Sequence, residues 1–106
     1  MFFRKDYLKQ WFLDNIASLF DRNMEIKYID GYDESFGELI GFQFNNDEFG
    51  GYIYFWSNGL SSYHLVNYFV GDEVVSEKIV NISNAESMFE IKSDFEGVFL
   101  KKIFKR

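Results

Sequence analysis

His64 is the only histidine in the chain, and cysteine is absent. These two facts bound most of the chemistry that the side chains could perform. A hydrolytic nucleophile needs a base within hydrogen-bond reach and a third group to orient that base. His64 lies in an alternating run, and a two-residue turn at Asn58-Gly59 gives it the parity of Ile53 and Phe55. It therefore reads as a packing residue, and no catalytic residue is expected. Without a thiolate, and with a single imidazole, a metal site would have to be built from carboxylates. The compact acidic groups are Asp30-x-x-Asp33-Glu34 and Asp47-Glu48. Neither has the spacing of an EF-hand loop, so both read as solvated loops or as the rim of a binding surface. Gly50-Gly51 opens a strand, and it lacks the helix N-terminus that phosphate cradles use. No cofactor and no metal are expected.

What remains is aromatic. Fourteen Phe, seven Tyr and two Trp make up 22% of the chain. They are densest in Tyr52-Ile53-Tyr54-Phe55-Trp56, which leads into Ser57-Asn58-Gly59-Leu60. An Asn-Gly pair between apolar runs is a strong hairpin signal, because both central residues of such a turn take positive φ. Alternation along a strand puts Tyr52, Tyr54 and Trp56 on one side and Ile53 and Phe55 on the other. A two-residue loop sets Tyr54 opposite Tyr63, Trp56 opposite Ser61 and Tyr52 opposite Leu65. It also sets Ile53 opposite His64 and Phe55 opposite Ser62. Each such pair contributes roughly 0.2–1 kcal/mol. One face then collects Tyr52, Tyr54, Trp56, Tyr63 and Leu65.

Two readings of that face stand side by side. In one, both sides of the sheet are covered and the aromatics are core. In the other, the helices cover one side and the aromatic side awaits a partner. Tyr and Trp are enriched at interface hot spots, and tyrosine hydroxyls favour a polar neighbour or water.

The elements that must position these residues follow from periodicity. Leu8, Trp11, Phe12, Ile16, Leu19 and Phe20 recur at steps of three and four over residues 4–22, a helical stripe ended by Asn23 as a left-handed terminator. Period two then takes over at 24–30 (Met24, Ile26, Tyr28) and again at 38–45 (Ile40, Phe42, Phe44), two half-buried strands joined by the loop from Asp30 to Gly37. The aromatic strand 52–57 and a strand 60–70 come next, and a Gly71-Asp72 turn leads to a strand 73–82. Ser83-x-x-Glu86 is a capping box. It opens a helix carrying Met88, Ile91, Phe95, Val98 and Phe99 on one stripe and Lys101, Lys102, Lys105 and Arg106 at its C-terminal end, where cations suit the dipole. Gly97 weakens that helix by about 1 kcal/mol relative to Ala and marks a kink or a close contact. Short hairpin loops exclude parallel βαβ units. The fold class is α+β: a two-layer sandwich with an N-terminal helix, an antiparallel four- to five-stranded meander and a C-terminal helix, one domain over residues 1–106. Both helices should pack on one face and bury Trp11, Phe12, Ile16, Phe95 and Phe99.

The formal charge is −6 and the isoelectric point is about 4.7. An acidic surface disfavours nucleic acid and favours basic partners. The lysines gather on the last helix instead of interleaving with the aromatics, and the element order is not that of an RRM. No apolar run is long enough for a signal peptide or a membrane span, and the lack of cysteine fits a reducing compartment. A soluble, cytoplasmic protein with no membrane partner is expected, as a monomer or a homodimer.

Tyr54-Phe55-Trp56-Ser57-Asn58-Gly59, Tyr63-His64-Leu65-Val66-Asn67, Gly71-Asp72-Glu73-Val74-Val75 and Ser83-x-x-Glu86 follow one another in a rhythm that resembles the TriTu-type immunity proteins of bacterial polymorphic toxin systems. The resemblance spans roughly residues 24–104 as an order of elements. Trp56 and the Gly71-Asp72 turn carry over as fold markers. It implies a protein that neutralises a cognate toxin by binding, without catalysis. A basic toxin would suit the acidic charge. The expected partner surface combines Tyr52, Tyr54, Trp56 and Tyr63 with the acidic residues Asp33, Glu34, Asp47 and Glu48. A homodimeric adaptor burying the aromatic face, or a small ligand-binding domain, is the alternative.

Overall fold

The apolar stripes and alternating runs resolve, in a computed structural model, into helix α1 (Lys5–Asn15), a short 3-10 turn (Ala17–Leu19), strands β1 (Glu25–Asp33), β2 (Gly37–Asn45), β3 (Phe49–Trp56), β4 (Leu60–Asn67) and β5 (Asp72–Asn81), and helix α2 (Ala85–Phe104). The structure describes residues 4–20, 23–69, 71–82 and 85–104. The five strands form one antiparallel sheet in the order β1-β2-β3-β4-β5. The architecture is α+β, as the pattern predicts.

Both helices lie on the same face of the sheet. Leu8 and Phe12 of α1 and Ile16, which caps it, recur every four residues and are buried with Met88, Ile91, Phe95 and Phe99 of α2. Phe12 stacks on Phe42, ring centroids 3.9 Å apart, and Phe95 meets Phe44 at 5.8 Å and Tyr63 at 5.9 Å. From the sheet, Ile40, Phe42 and Phe44 of β2, Phe49, Ile53 and Phe55 of β3, Tyr63 and Leu65 of β4 and Val75 of β5 join the core. Of the five predicted helical core residues, only Trp11 is partly buried; it packs edge-on against Phe55 at 6.2 Å.

Several boundaries differ from the sequence pattern, each for a local reason. Helix α1 stops at Asn15, where the chain tightens into the 3-10 turn, Leu19 N donating to the Ile16 carbonyl and Phe20 N to that of Ala17. Asn15 Nδ2 donates to the Trp11 carbonyl and Ser18 Oγ to that of Asp14. Asn23 is not a left-handed terminator, since no non-glycine residue among those described has positive φ. Strand β1 is exposed along almost its whole length, not half-buried. Strand β4 ends at Asn67, whose carbonyl accepts from Gly71 N as the chain turns toward β5. Gly71, at φ +73°, makes the expected turn. Helix α2 runs unbroken through Gly97, and nothing beyond the adjoining helix backbone lies within 4 Å of where a Cβ would sit there. Ser83, Lys105 and Arg106 lie outside the described residues, as do the side chains of Lys101 and Lys102, so the capping box and the basic terminus belong to the sequence alone.

The largest correction concerns the aromatic hairpin. Its loop has three residues, Ser57-Asn58-Gly59, and only Gly59 takes positive φ, +96°. Gly59 N donates to the Trp56 carbonyl, the pattern of a type I turn closed by a left-handed glycine. Strand β4 is thereby shifted by one residue from the expected register: Ile53 pairs with Tyr63, Tyr52 with His64, Tyr54 with Ser62 and Phe55 with Ser61. A one-residue slip exchanges the faces of a strand. Tyr63 and Leu65 therefore point into the helical layer, fully buried. His64 stands on the opposite face.

Candidate functional site

The face of the sheet turned away from the helices carries the aromatic ladder of β3. Tyr52 and Tyr54 stack with centroids 4.6 Å apart and an interplanar angle of 18°, and Trp56 meets Tyr54 edge-on at 5.9 Å. The three are half-buried although no helix covers them. For Tyr54 a glycine in the neighbouring strand accounts for this. Gly41 of β2 pairs directly with Tyr54, and a Cβ there would run into the Tyr54 ring. Tyr68, from the β4–β5 turn, lies over Gly50 in the same way. The rings thus lie down on bare backbone, where an aromatic can shield what glycine leaves open.

Hydrogen bonds fix these rings. Gln43 Nε2 donates to Tyr54 Oη at 2.7 Å, Tyr68 Oη donates to Asn45 Oδ1 at 2.6 Å, and Tyr52 Oη donates to Glu77 Oε2 at 2.6 Å. Burial first, and then the Glu77 carboxylate, push the Tyr52 hydroxyl up to about 12, so it remains a donor throughout the physiological range. His64 lies beside Tyr52, ring centroids 5.7 Å apart. Lys27, Gln43, Asn45, Tyr52, His64 and Tyr68 line a groove of about 540 Å³ that runs off the lower end of the ladder.

The acidic residues fall at opposite ends of this face. Asp33 closes β1 and Glu34 opens the β1–β2 turn, which is fixed where Asp33 Oδ1 accepts from the N–H groups of Ser35 and Phe36. Phe36 from that turn reaches Trp56, at 5.1 Å. Asp47 and Glu48 form the β2–β3 turn at the other end, organised by Asn46 Oδ1, which accepts from Glu48 N and Phe49 N. The structure brings Tyr52, Tyr54 and Trp56 together as one strip, flanks it with the two acidic turns, and removes Tyr63 from it. Tyr63 cannot join a partner surface because its hydroxyl is spent inside, on Asp94 Oδ2 at 2.8 Å. Spacing did not single out Gly41, Gln43, Glu77 or Tyr68. Gly41 shows itself only as the cross-strand partner of Tyr54, which becomes visible once the β2–β3 register is known.

Among the described residues, no three His, Asp or Glu side chains gather closely enough to hold a metal ion, and no helix is long and apolar enough to cross a membrane. Comparison with protein-family models, with curated proteins and with solved structures yields no match.

The glycine seat gives a direct test of how the strip is held. Gly41→Val should lift the Tyr54 ring, break its bond to Gln43 and separate it from Tyr52. A near-ultraviolet circular dichroism spectrum changed in the tyrosine and tryptophan bands, over an unchanged far-ultraviolet spectrum, is the expected result. An unchanged near-ultraviolet spectrum would mean that Gly41 does not seat the ring.

Proposed function

We propose that this chain is a binding protein that carries out no reaction of its own and neutralises a basic toxin domain by covering it with the open face of the sheet. The observation that carries this reading is the ladder of Tyr52, Tyr54 and Trp56, pre-ordered by stacking and hydrogen bonds on the face that neither helix touches. Rigid aromatic rings lose little side-chain freedom on binding and supply desolvated anchors. The acidic turns, with Asp33 and Glu34 at one end and Asp47 and Glu48 at the other, frame a surface that a cationic domain would span lengthwise. Charges at such a rim mainly steer approach and raise the association rate. The sequence rhythm shared with TriTu-type immunity proteins gives the partner its class, and the net charge of −6 gives its sign.

The test is co-expression with a toxin-like domain encoded beside this chain. The wild type should restore growth. Trp56→Ala should weaken the complex by about tenfold or more, as expected for an interface anchor. Asp47→Lys with Glu48→Lys should slow association and reduce its dependence on salt. Unchanged affinity and association rate in both variants, with folding intact, would move the interface to the helical layer.

A further inference from the structure

We propose that the outer edge of β1 pairs with β1 of a second copy of this chain, antiparallel about a two-fold axis at Ile26, so that Glu25 of each copy faces Lys27 of the other. The inference uses neither the aromatic ladder nor the partner proposed for it.

The first support is the contrast between the two edges of the sheet. Strand β1 pairs with β2 over nine residues, from Glu25–Asn45 to Asp33–Gly37, with no bulge. A long regular edge is a template for another strand. Strand β5, at the other edge, changes register between Tyr63 and Leu65 and again between Leu65 and Val66. Such irregularity is one of the ways in which sheets guard an edge.

The second support is the apolar strip along that edge. Lys5 of α1 bonds Asp30 at 3.1 Å, and Lys9 sits over the Tyr28 ring at 4.4 Å. Four residues of helix rise about 6 Å, and two residues of strand rise nearly 7 Å. The same step carries the helix flank on to Leu13 as the strand reaches Ile26. Leu13, Ile26 and Tyr28 are 46%, 42% and 38% exposed. A strand added at this end of β1 would cover that strip as well as pair the edge from Met24 to Tyr28.

The third support is the register. A two-fold axis perpendicular to the sheet at Ile26 sets Ile26 against itself, Glu25 against Lys27 twice, and Met24 against Tyr28 twice. This is a five-residue ladder at the N-terminal end of the edge, and it leaves residues 29–33 of each β1 outside the contact. Opposite charges and apolar groups directly across are the favourable cross-strand pairs. Neighbouring registers lose this. An axis at Glu25 or at Lys27 sets that charge against its own copy. An axis at Tyr28 sets Ile26 against Asp30, and an axis at Ile29 sets Glu25 against Asp33. The axis keeps the two open faces on the same side, so the dimer doubles the five-stranded sheet and carries two aromatic ladders side by side.

Mass in solution, by sedimentation equilibrium over a range of concentrations, tests the proposal. The wild type should dimerise. Lys27→Glu places like charges across the axis at two points and should weaken the dimer at least tenfold. Glu25→Lys combined with Lys27→Glu reverses both pairs and should restore it. Trp56→Ala should leave the dimer intact. A wild type that is monomeric at every concentration, a dimer indifferent to Lys27→Glu, or a double variant that fails to recover would overturn the proposal. So would dissociation by Trp56→Ala, which would place the contact on the aromatic face.

Discussion

Phe95→Ala is expected to lower the stability of the fold by about 3–5 kcal/mol, the range for removing a buried phenylalanine from a packed core. The magnitude follows from where the ring sits. Phe95 is wholly buried, and it touches Phe44 of β2, Tyr63 of β4 and, at 6.5 Å, Phe99 of its own helix. It is thus the point where α2 is joined to two strands at once, and the aromatic walls around it cannot collapse into the space it leaves. In a domain of this size such a loss corresponds to a fall in Tm of roughly 15 °C or more. Urea unfolding should show a lower midpoint with an unchanged slope. Phe89→Ala on the same helix removes an identical side chain that is 68% exposed, and should shift stability by no more than about 0.5 kcal/mol. Equal losses in the two variants would mean that α2 does not dock through the Phe95 stripe.

That stripe is an example of what could be read without coordinates. The steps from Leu8 to Phe12 to Ile16, and from Ile91 to Phe95 to Phe99, specify a helix face, and the alternation of Ile40, Phe42 and Phe44 specifies a strand face. Both follow from chain periodicity, which depends on nothing outside the segment. The register of the aromatic hairpin does depend on something outside. Asn58-Gly59 is compatible with a two-residue loop and equally with a three-residue loop that ends in a left-handed glycine. Ser57 decides between them. Its N–H donates to the Glu38 carbonyl at 2.7 Å, and its Oγ accepts from Glu38 N at 2.9 Å. The end of β2 thereby draws Ser57 out of the β3–β4 ladder and into the loop. No local pattern announces that bond, which joins residues 19 apart in sequence. From it follow the burial of Tyr63 and the appearance of His64 beside Tyr52. Within β3 itself, Tyr52, Tyr54 and Trp56 were legible as a strip, because their common face depends only on their own spacing. What holds the strip in place, Gly41 and Gln43 of β2 and Glu77 of β5, was hidden, because contacts between strands are not set by the spacing within β3.

The same slip creates a polar cluster inside the helical layer, and Asp94→Ala is expected to cost about 2–3 kcal/mol by breaking it. Asp94 Oδ2 accepts from Tyr63 Oη and from Lys78 Nζ, each at 2.8 Å. Removing the carboxylate leaves the hydroxyl of a buried tyrosine without its acceptor, a loss of roughly 1–3 kcal/mol. Lys78 contributes less, since its side chain is 41% exposed, can take up water, and retains Glu90 at 4.0 Å. Tyr63→Phe removes the donor instead and leaves Asp94 with Lys78, so it should cost only about 1 kcal/mol. The double variant should then cost less than the two single losses added together, the signature of a direct interaction. A pH series separates this from simple packing. Burial first, and then Asp94 and Glu90, push the Tyr63 hydroxyl above the ordinary tyrosine range. The folded state therefore holds that proton more tightly than the unfolded chain does. Its contribution is complete below about pH 10, the usual tyrosine value, and is lost as pH rises through and beyond that point. Lys78 and Tyr52 are shifted in the same direction, but both remain in Tyr63→Phe, so the difference between the two proteins isolates Tyr63. Chemical denaturation from pH 8 to about pH 11 should show the wild type losing stability more steeply than Tyr63→Phe at the alkaline end. Parallel curves would mean that the Tyr63 proton is held no more tightly in the fold than out of it.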